Sequence, residues 1–248
     1  MMRWIHYEGD LPVNQTELVK KVLPKYSKLT FEPGDHAAYT NLGYMVLGAI
    51  IEKISNKSYE DYIRQNILEP LGMKHTDFIY TKAMEPFEAA GAHLVFDIST
   101  LFIPYVKGSI VREKSGNHLW LHRFYNDQTP STGLIGPTTD AAHMVIAYMN
   151  KGEFNGRHIL SAQSIDTMTN KNHSKMKNDP KTYFVRQGIG WQIYKDKKGL
   201  TLQHTGGGPG FSTIMQLYPG EKLGFILFTN DSKCEGWKII QLAAKLKW

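Results

Sequence analysis

The amino-acid sequence predicts an α+β protein, helical in its first part and sheet-forming in its last. Three stretches carry this expectation. "NLGYMVLGAIIEKI", Asn41 to Ile54, is apolar on nearly every side until Glu52, the pattern of a helix buried in a protein interior. After Gly188 the chain turns to "GIGWQIY", "TLQH", "FSTIMQLY" and "LGFILFTN", short β-branched or aromatic runs separated by turn residues, which read as an antiparallel meander. The closing "EGWKIIQLAAKLKW" sets Trp237, Ile240, Leu242, Ala244 and Leu246 in an amphipathic helix expected to cover one sheet face. The organisation expected is a single domain over 1–248, with a mainly helical and irregular lobe at 1–187 and the sheet plus terminal helix at 188–248.

The elements follow in order. Asn41 is placed as the N-cap of the apolar helix. Ser58 with Asp61 three residues later gives a capping box for a second helix, which Pro70 and Gly72 stop. Residues 80–130 mix aromatic residues with isolated Gly and Pro, show no sustained period, and read as irregular with short elements. "TTDAAHMVIAYMN" from Thr138 has a Thr or Asp cap, helical spacing and a terminating Gly152, and a further helix starts at Ser161. The lysines of "KDKK", Lys195 to Lys198, mark a hairpin tip.

Composition narrows the function classes. The chain has 248 residues, 42% hydrophobic and 21% charged, enough for a substantial core and without low-complexity runs or repeats. Its longest apolar runs fall well short of the roughly 20 residues of a membrane helix, and no signal peptide is read in the first residues, so no transmembrane span is expected. Where the protein acts is left open. A single cysteine, Cys234, excludes an internal disulfide. The net charge of +6 is spread along the chain, and nucleic acid is not an expected partner.

Three familiar motifs are missing. No G-x-S-x-G elbow exists, since Ser131 follows Thr129 at the required position and Ser109 is followed by Val111. His118 and His122 in "HLWLH" lack the adjacent glutamate of H-E-x-x-H, so neither a metal nor a cofactor is expected. "GGGPG" fits neither the Walker nor the dinucleotide pattern. What remains is "YTN" at Tyr39–Asn41, directly before the apolar helix, and "HTG" at His204–Gly206, between two strands.

In that context the chain resembles the serine β-lactamase and penicillin-binding-protein superfamily, in its class C, DD-peptidase and esterase branch. "FEPGDHAAYTNLGYMVLGAIIEKISNKSYEDYIRQNILEPLGMKHTDF" is similar to the family's Y-x-N stretch, "PSTGLIGPTTDAAHMVIAYMNKG" to its helix region, and "HTGGGPGFSTIMQLYPGEKLGFILFTN" to its third motif and final strands. The resemblance implies a β-lactamase/transpeptidase-like fold and acyl transfer on a small ester, amide or peptide. Acyl transfer needs a nucleophile, a base and donors for the oxyanion. The resemblance makes Tyr39 the general base, Asn41 a donor to the substrate carbonyl, and the Gly207 N–H half of the oxyanion hole. His204 and Thr205 would point into the cleft, with Gly206 and Gly207 letting substrate backbone lie close. Histidine in place of lysine at 204 tilts the expectation from true β-lactamases toward DD-peptidases and esterases.

The family's nucleophile stands in S-x-x-K ahead of Y-x-N. Here the only serine before Tyr39 is Ser27, followed at the third position by Thr30, and the one Ser-x-x-Lys match, Ser174 with Lys177, lies in a polar stretch far downstream. The expectation is therefore a family member starting after its nucleophile helix, inactive alone, with the N-terminal part of the fold missing and an exposed sheet edge open to association. The rival expectations are a non-catalytic module binding cell-wall peptides or a protein partner, and a truncated gene product.

Overall fold

The computed structural model describes residues 4–11, 13–29, 31–33, 39–96, 110–170, 186–196 and 199–246. The helical part comes first. Strand β1 (Ile5–His6) leads to α1 (Gln15–Val22), which runs on as a 3-10 turn at Leu23–Tyr26. Asn14 caps α1, its side chain accepting from Glu17 N at 3.1 Å. Helix α2 (Asn41–Ser55) packs on α1 through Leu18, Val19 and Met45, and α3 (Tyr59–Ile63) follows with a π turn at Arg64–Leu68. Ser58 caps α3 through Asp61 N at 3.1 Å, as the sequence predicts.

Helix α2 is less enclosed than its composition predicts. Met45, Gly48 and Glu52 are buried, but Leu47, Ile50 and Ile54 stand out at 53%, 46% and 81% exposure, so the helix is apolar all round yet covered on one side. Its one buried acid is fully used. Glu52 accepts from Thr16 N at 3.0 Å and Thr16 Oγ1 at 2.7 Å at the start of α1, and from Tyr59 N at 3.3 Å at the start of α3. One carboxylate thereby serves orphan N–H groups of two helices, where its charge is favoured.

The stretch without a clear period contains a small sheet. Strands β2 (Ala92–Leu94), β3 (Val111–Ser115) and β4 (His118–Leu121) pair in the order β2-β4-β3, and β5 (Tyr125–Asn126) pairs with β1. Beside that pair His6 Nδ1 lies 2.8 Å from Asp127 Oδ1, and Gln15 Nε2 donates to the Asp127 carbonyl at 2.6 Å. His118 lies against Trp120, ring centroids 6.4 Å apart.

Helix α4 (Thr138–Met149) follows Pro137 and has no side-chain cap. The expected Thr or Asp cap is thus replaced: Asp140 turns inward and accepts from His75 N at 2.8 Å and Thr76 Oγ1 at 2.9 Å. A hairpin of β6 (Glu153–Phe154) and β7 (Arg157–His158) precedes α5 (Ala162–Asn170).

The meander then runs as β8 (Arg186–Gln187), β9 (Gln192–Asp196), β10 (Gly199–Gly208), β11 (Phe211–Tyr218) and β12 (Leu223–Thr229), antiparallel and ordered β12-β11-β10-β9-β8. Helix α6 (Gly236–Ala243) closes it. Alternation along β12 places the two helices on opposite sheet faces. A Cβ on Gly224 would meet Val145 of α4 at 2.8 Å, and one on Gly236 of α6 would meet Leu227 at 2.7 Å. On the α4 face Val145, Trp191, Ile193, Leu202 and Leu217 form a buried core.

The covering face of α6 differs from the one predicted. Gly236, Ile240 and Ala244 are buried, while Trp237, Leu242 and Leu246 are 46%, 64% and 61% exposed. Residues 236, 240 and 244 recur every four positions and make one narrow stripe, and the small Gly and Ala within it allow close approach to the sheet.

Candidate active site

Tyr39 stands at the entrance to α2, 72% exposed. Thr40, not Asn41, is the N-cap: it is extended at φ −153 and ψ 129, and its Oγ1 accepts from Leu42 N at 3.2 Å. Asn41 is the first helical residue, so its carboxamide is not spent on capping.

The second predicted segment lies on β10, ten residues long. Its pairing with β9 covers only Gly199–Gln203, whereas β11 pairs with Leu202–Gly208. From His204 to Gly208 the strand has β11 on one edge and no strand on the other among the described residues. An extended chain laid along that edge would complete the ladder.

The glycines of this segment have separate reasons. Gly210 has φ +81, and a Cβ there would come within 2.7 Å of Gly91 Cα, so both the turn and a backbone crossing require glycine. A Cβ on Gly206 would meet Thr213 Oγ1 at 2.4 Å. Gly207 and Gly208 differ from both: neither has a positive φ, and an added Cβ would find nothing within 4 Å.

Alternation also separates the two polar side chains of "HTG". His204 shares a face with Leu202, in the core under α4, while Thr205 pairs with Ile214, which reaches Gly236 of α6. His204 thus lies on the α4 face of the sheet and Thr205 on the other. Burial lowers the pKa of His204, and a hydrogen bond with the Thr205 backbone opposes this in part. Desolvation disfavours the charged imidazolium, so the neutral ring is the form this position prefers.

A residue that sequence reasoning missed lies near the turn that enters β9. Tyr44 lies one helical turn beyond Asn41, and a Cβ on Gly190 would be 3.8 Å from its hydroxyl. Burial raises the Tyr44 phenol pKa, neighbouring Tyr39 raises it further, and a hydrogen bond from the Gly190 backbone works the other way. The β9–β10 ladder ends at Gln192–Gln203, which leaves the Gly188–Trp191 turn beside His204. Tyr148 of α4 completes the group: its hydroxyl donates to Met168 Sδ at 3.1 Å, its ring meets Trp191 edge-on at 5.1 Å, and burial pushes its pKa up to about 12. The only legible signal for Tyr44 was a hydroxyl in an otherwise apolar helix, three residues after Asn41. Ser174 and Lys177 lie outside the described residues.

Residues 9–242 match the Beta-lactamase family. The chain belongs to the Beta-lactamase family. The family sits in the penicillin-binding-protein-like serine hydrolase superfamily, and the α+β architecture is the β-lactamase/transpeptidase fold. Among its relatives is penicillin-binding protein 4* of Bacillus subtilis, 26% identical over 238 residues, covering 94% of this chain and 48% of that protein. Protein flp of Staphylococcus aureus is 27% identical, covering 82% of this chain and 35% of its own length. The octameric penicillin-binding protein homologue from Pyrococcus abyssi superposes with a TM-score of 0.70 at 25% identity, over 96% of this chain and 48% of that one. D-amino acid amidase from Ochrobactrum anthropi gives a TM-score of 0.71 at 20% identity, over 96% and 66%, a likeness of fold. The chain spans about half, or less, of the length of the curated relatives it matches. Among the described residues no helix is long and apolar enough to cross a membrane.

Proposed function

We propose that the groove between the start of α2 and the open edge of β10 binds an extended ester, amide or peptide for acyl transfer. One observation carries the reading: among the described residues, Gly207 and Gly208 lie on a strand edge that no other strand pairs, and nothing described gives either a reason to be glycine. Glycine in a strand costs stability, roughly 0.5–1 kcal/mol relative to Ala. Bare backbone at such a cost suits a ligand strand lying against it.

In this reading Tyr39 is the general base, Asn41 donates its amide to the substrate carbonyl, and the Gly207 N–H is one oxyanion donor. His204 borders the groove as a neutral hydrogen-bonding group. A serine hydroxyl placed beside Tyr39 passes its proton to the phenolate oxygen as it attacks the carbonyl carbon. The carbonyl electrons move to the oxygen held by Gly207, and the tetrahedral intermediate expels an amine or alkoxide that takes the proton back from Tyr39. The 248 residues hold no Ser-x-x-Lys before Tyr39, so we assign them substrate binding and base, not the nucleophile. Histidine at 204 and the amidase likeness favour amide or ester substrates, of the DD-peptidase or esterase kind, over β-lactams.

Calorimetric titration with N-acetyl-D-phenylalanine amide tests the site. Binding should weaken at least tenfold in Gly207→Val while the melting temperature holds; equal affinity in the two proteins refutes the assignment. A fluorogenic ester and a chromogenic cephalosporin report turnover in parallel. Hydrolysis that Ser174→Ala abolishes would move the nucleophile to the downstream Ser-x-x-Lys.

A further inference from the structure

We propose that Ser232 is a covalent acyl-accepting site, a nucleophile that takes the acyl group of an activated ester with His93 as its base. The inference stands apart from the reading of Tyr39 and β10 and uses neither.

The two residues are 139 positions apart in sequence, and the fold joins them. Ala92 of β2 forms a parallel bridge with Asp231, in the segment that leaves β12. Its N–H donates to the Asn230 carbonyl at 2.8 Å, and its carbonyl accepts from Ser232 N at 3.2 Å. The next residue on each segment, His93 and Ser232, is thereby set beside the other, and Ser232 Oγ is hydrogen-bonded to His93 Nδ1. In the tautomer with its proton on Nε2, Nδ1 accepts from the serine hydroxyl, which is the arrangement a general base needs before attack.

Both partners are fixed before any ester arrives. His93 is 7% exposed and pairs with Leu119 in the β2–β4 ladder. Ser232 sits in a tight turn, where Asp231 Oδ1 accepts from Lys233 N at 2.9 Å. The Asp231 carbonyl accepts from Ser212 Oγ and Thr229 Oγ1, each at 3.1 Å, which ties the turn to β11 and β12. Nucleophile and base therefore need not be gathered at the moment of reaction. Ser232 is only half-buried and Lys233 beside it is exposed, so the turn is open to solvent. Other described serines are engaged differently: Ser58 caps α3, Ser131 Oγ donates to the Gln128 carbonyl, and Ser161 and Ser164 bond to each other. None of those partners takes up a proton near neutral pH.

As Ser232 Oγ attacks the ester carbonyl carbon, its proton passes to His93 Nδ1 and the carbonyl electrons move to the oxygen. Their return breaks the bond to the aryl oxide, which leaves as a phenol with the proton from His93. The serine is left esterified.

The test incubates the full chain with para-nitrophenyl acetate, following nitrophenol release and mapping the label by peptide mass. One acetyl group is expected on the peptide carrying Ser232, removed by hydroxylamine as a serine ester is and a lysine amide is not. Ser232→Ala should lose that label. His93→Gln keeps a hydrogen-bonding side chain without a base, and should slow acetylation of Ser232 about 100-fold or more with the melting temperature within a few degrees of the parent. An acetyl ester on Ser174 or Ser131 instead, or acetylation of lysines alone, overturns the proposal in the parent chain without any variant. So does an unchanged rate in His93→Gln. The calorimetric titration reads the β10 groove without covalent chemistry, so either assignment can fail while the other stands.

Discussion

Gly207 and Gly210 stand three residues apart and are glycine for opposite reasons. A methyl at 210 forces a left-handed φ of +81 on alanine and a contact of 2.7 Å with Gly91 Cα, so Gly210→Ala should cost about 1–3 kcal/mol in denaturant unfolding. Gly207→Ala meets open space and should stabilise the fold by about 0.5–1 kcal/mol. His204 supplies a pH signature. Its folded-state pKa lies below the ordinary value of about 6.5, so the unfolded chain binds the proton more readily. Stability from keeping the ring neutral is present above that ordinary value and is lost as pH falls toward the folded pKa. Melting temperatures between pH 7.5 and 5 should therefore drop less in His204→Asn than in the parent; parallel curves would show that His204 is not desolvated.

At the scale of elements, side chains that join two segments carry more than those within one. Glu52 ties the first turns of α1 and α3 to α2, and Glu52→Ala leaves part-buried N–H groups without this acceptor. A loss of roughly 2–4 kcal/mol is expected in urea unfolding. On α6 the buried stripe decides: Ile240→Ala should cost about 2–5 kcal/mol and Leu242→Ala, 64% exposed, well under 1 kcal/mol. Hydropathy alone could not separate these two, because Ile240 and Leu242 are equally apolar and only the sheet tells the faces apart. The meander was legible because strands and turns alternate in composition, and the Ser58 cap because its partner is local. Thr40 displaced Asn41, and Asp140 left the start of α4, because backbone geometry and a distant loop at 75–76 settled roles that either residue type could fill.

For the whole molecule, the family was readable from "YTN" and "HTG" in sequence, but the cleft was not. The strand edge proposed to bind ligand lies past the point where β9 stops, five residues into β10, a detail of pairing that no local residue pattern announces. Strand β12 is the other edge, half-exposed throughout, without proline or charge from Leu223 to Thr229. Such edges pair readily. Sedimentation velocity should show association growing with concentration and reduced in Phe225→Lys.

Chemical-shift mapping of the isotopically labelled chain with N-acetyl-D-phenylalanine amide tests the cleft most directly. The reading predicts that perturbations gather at His204–Gly208 and at Asn41, and vanish in Gly207→Val. Perturbations elsewhere, or a map unchanged by that substitution, would contradict it.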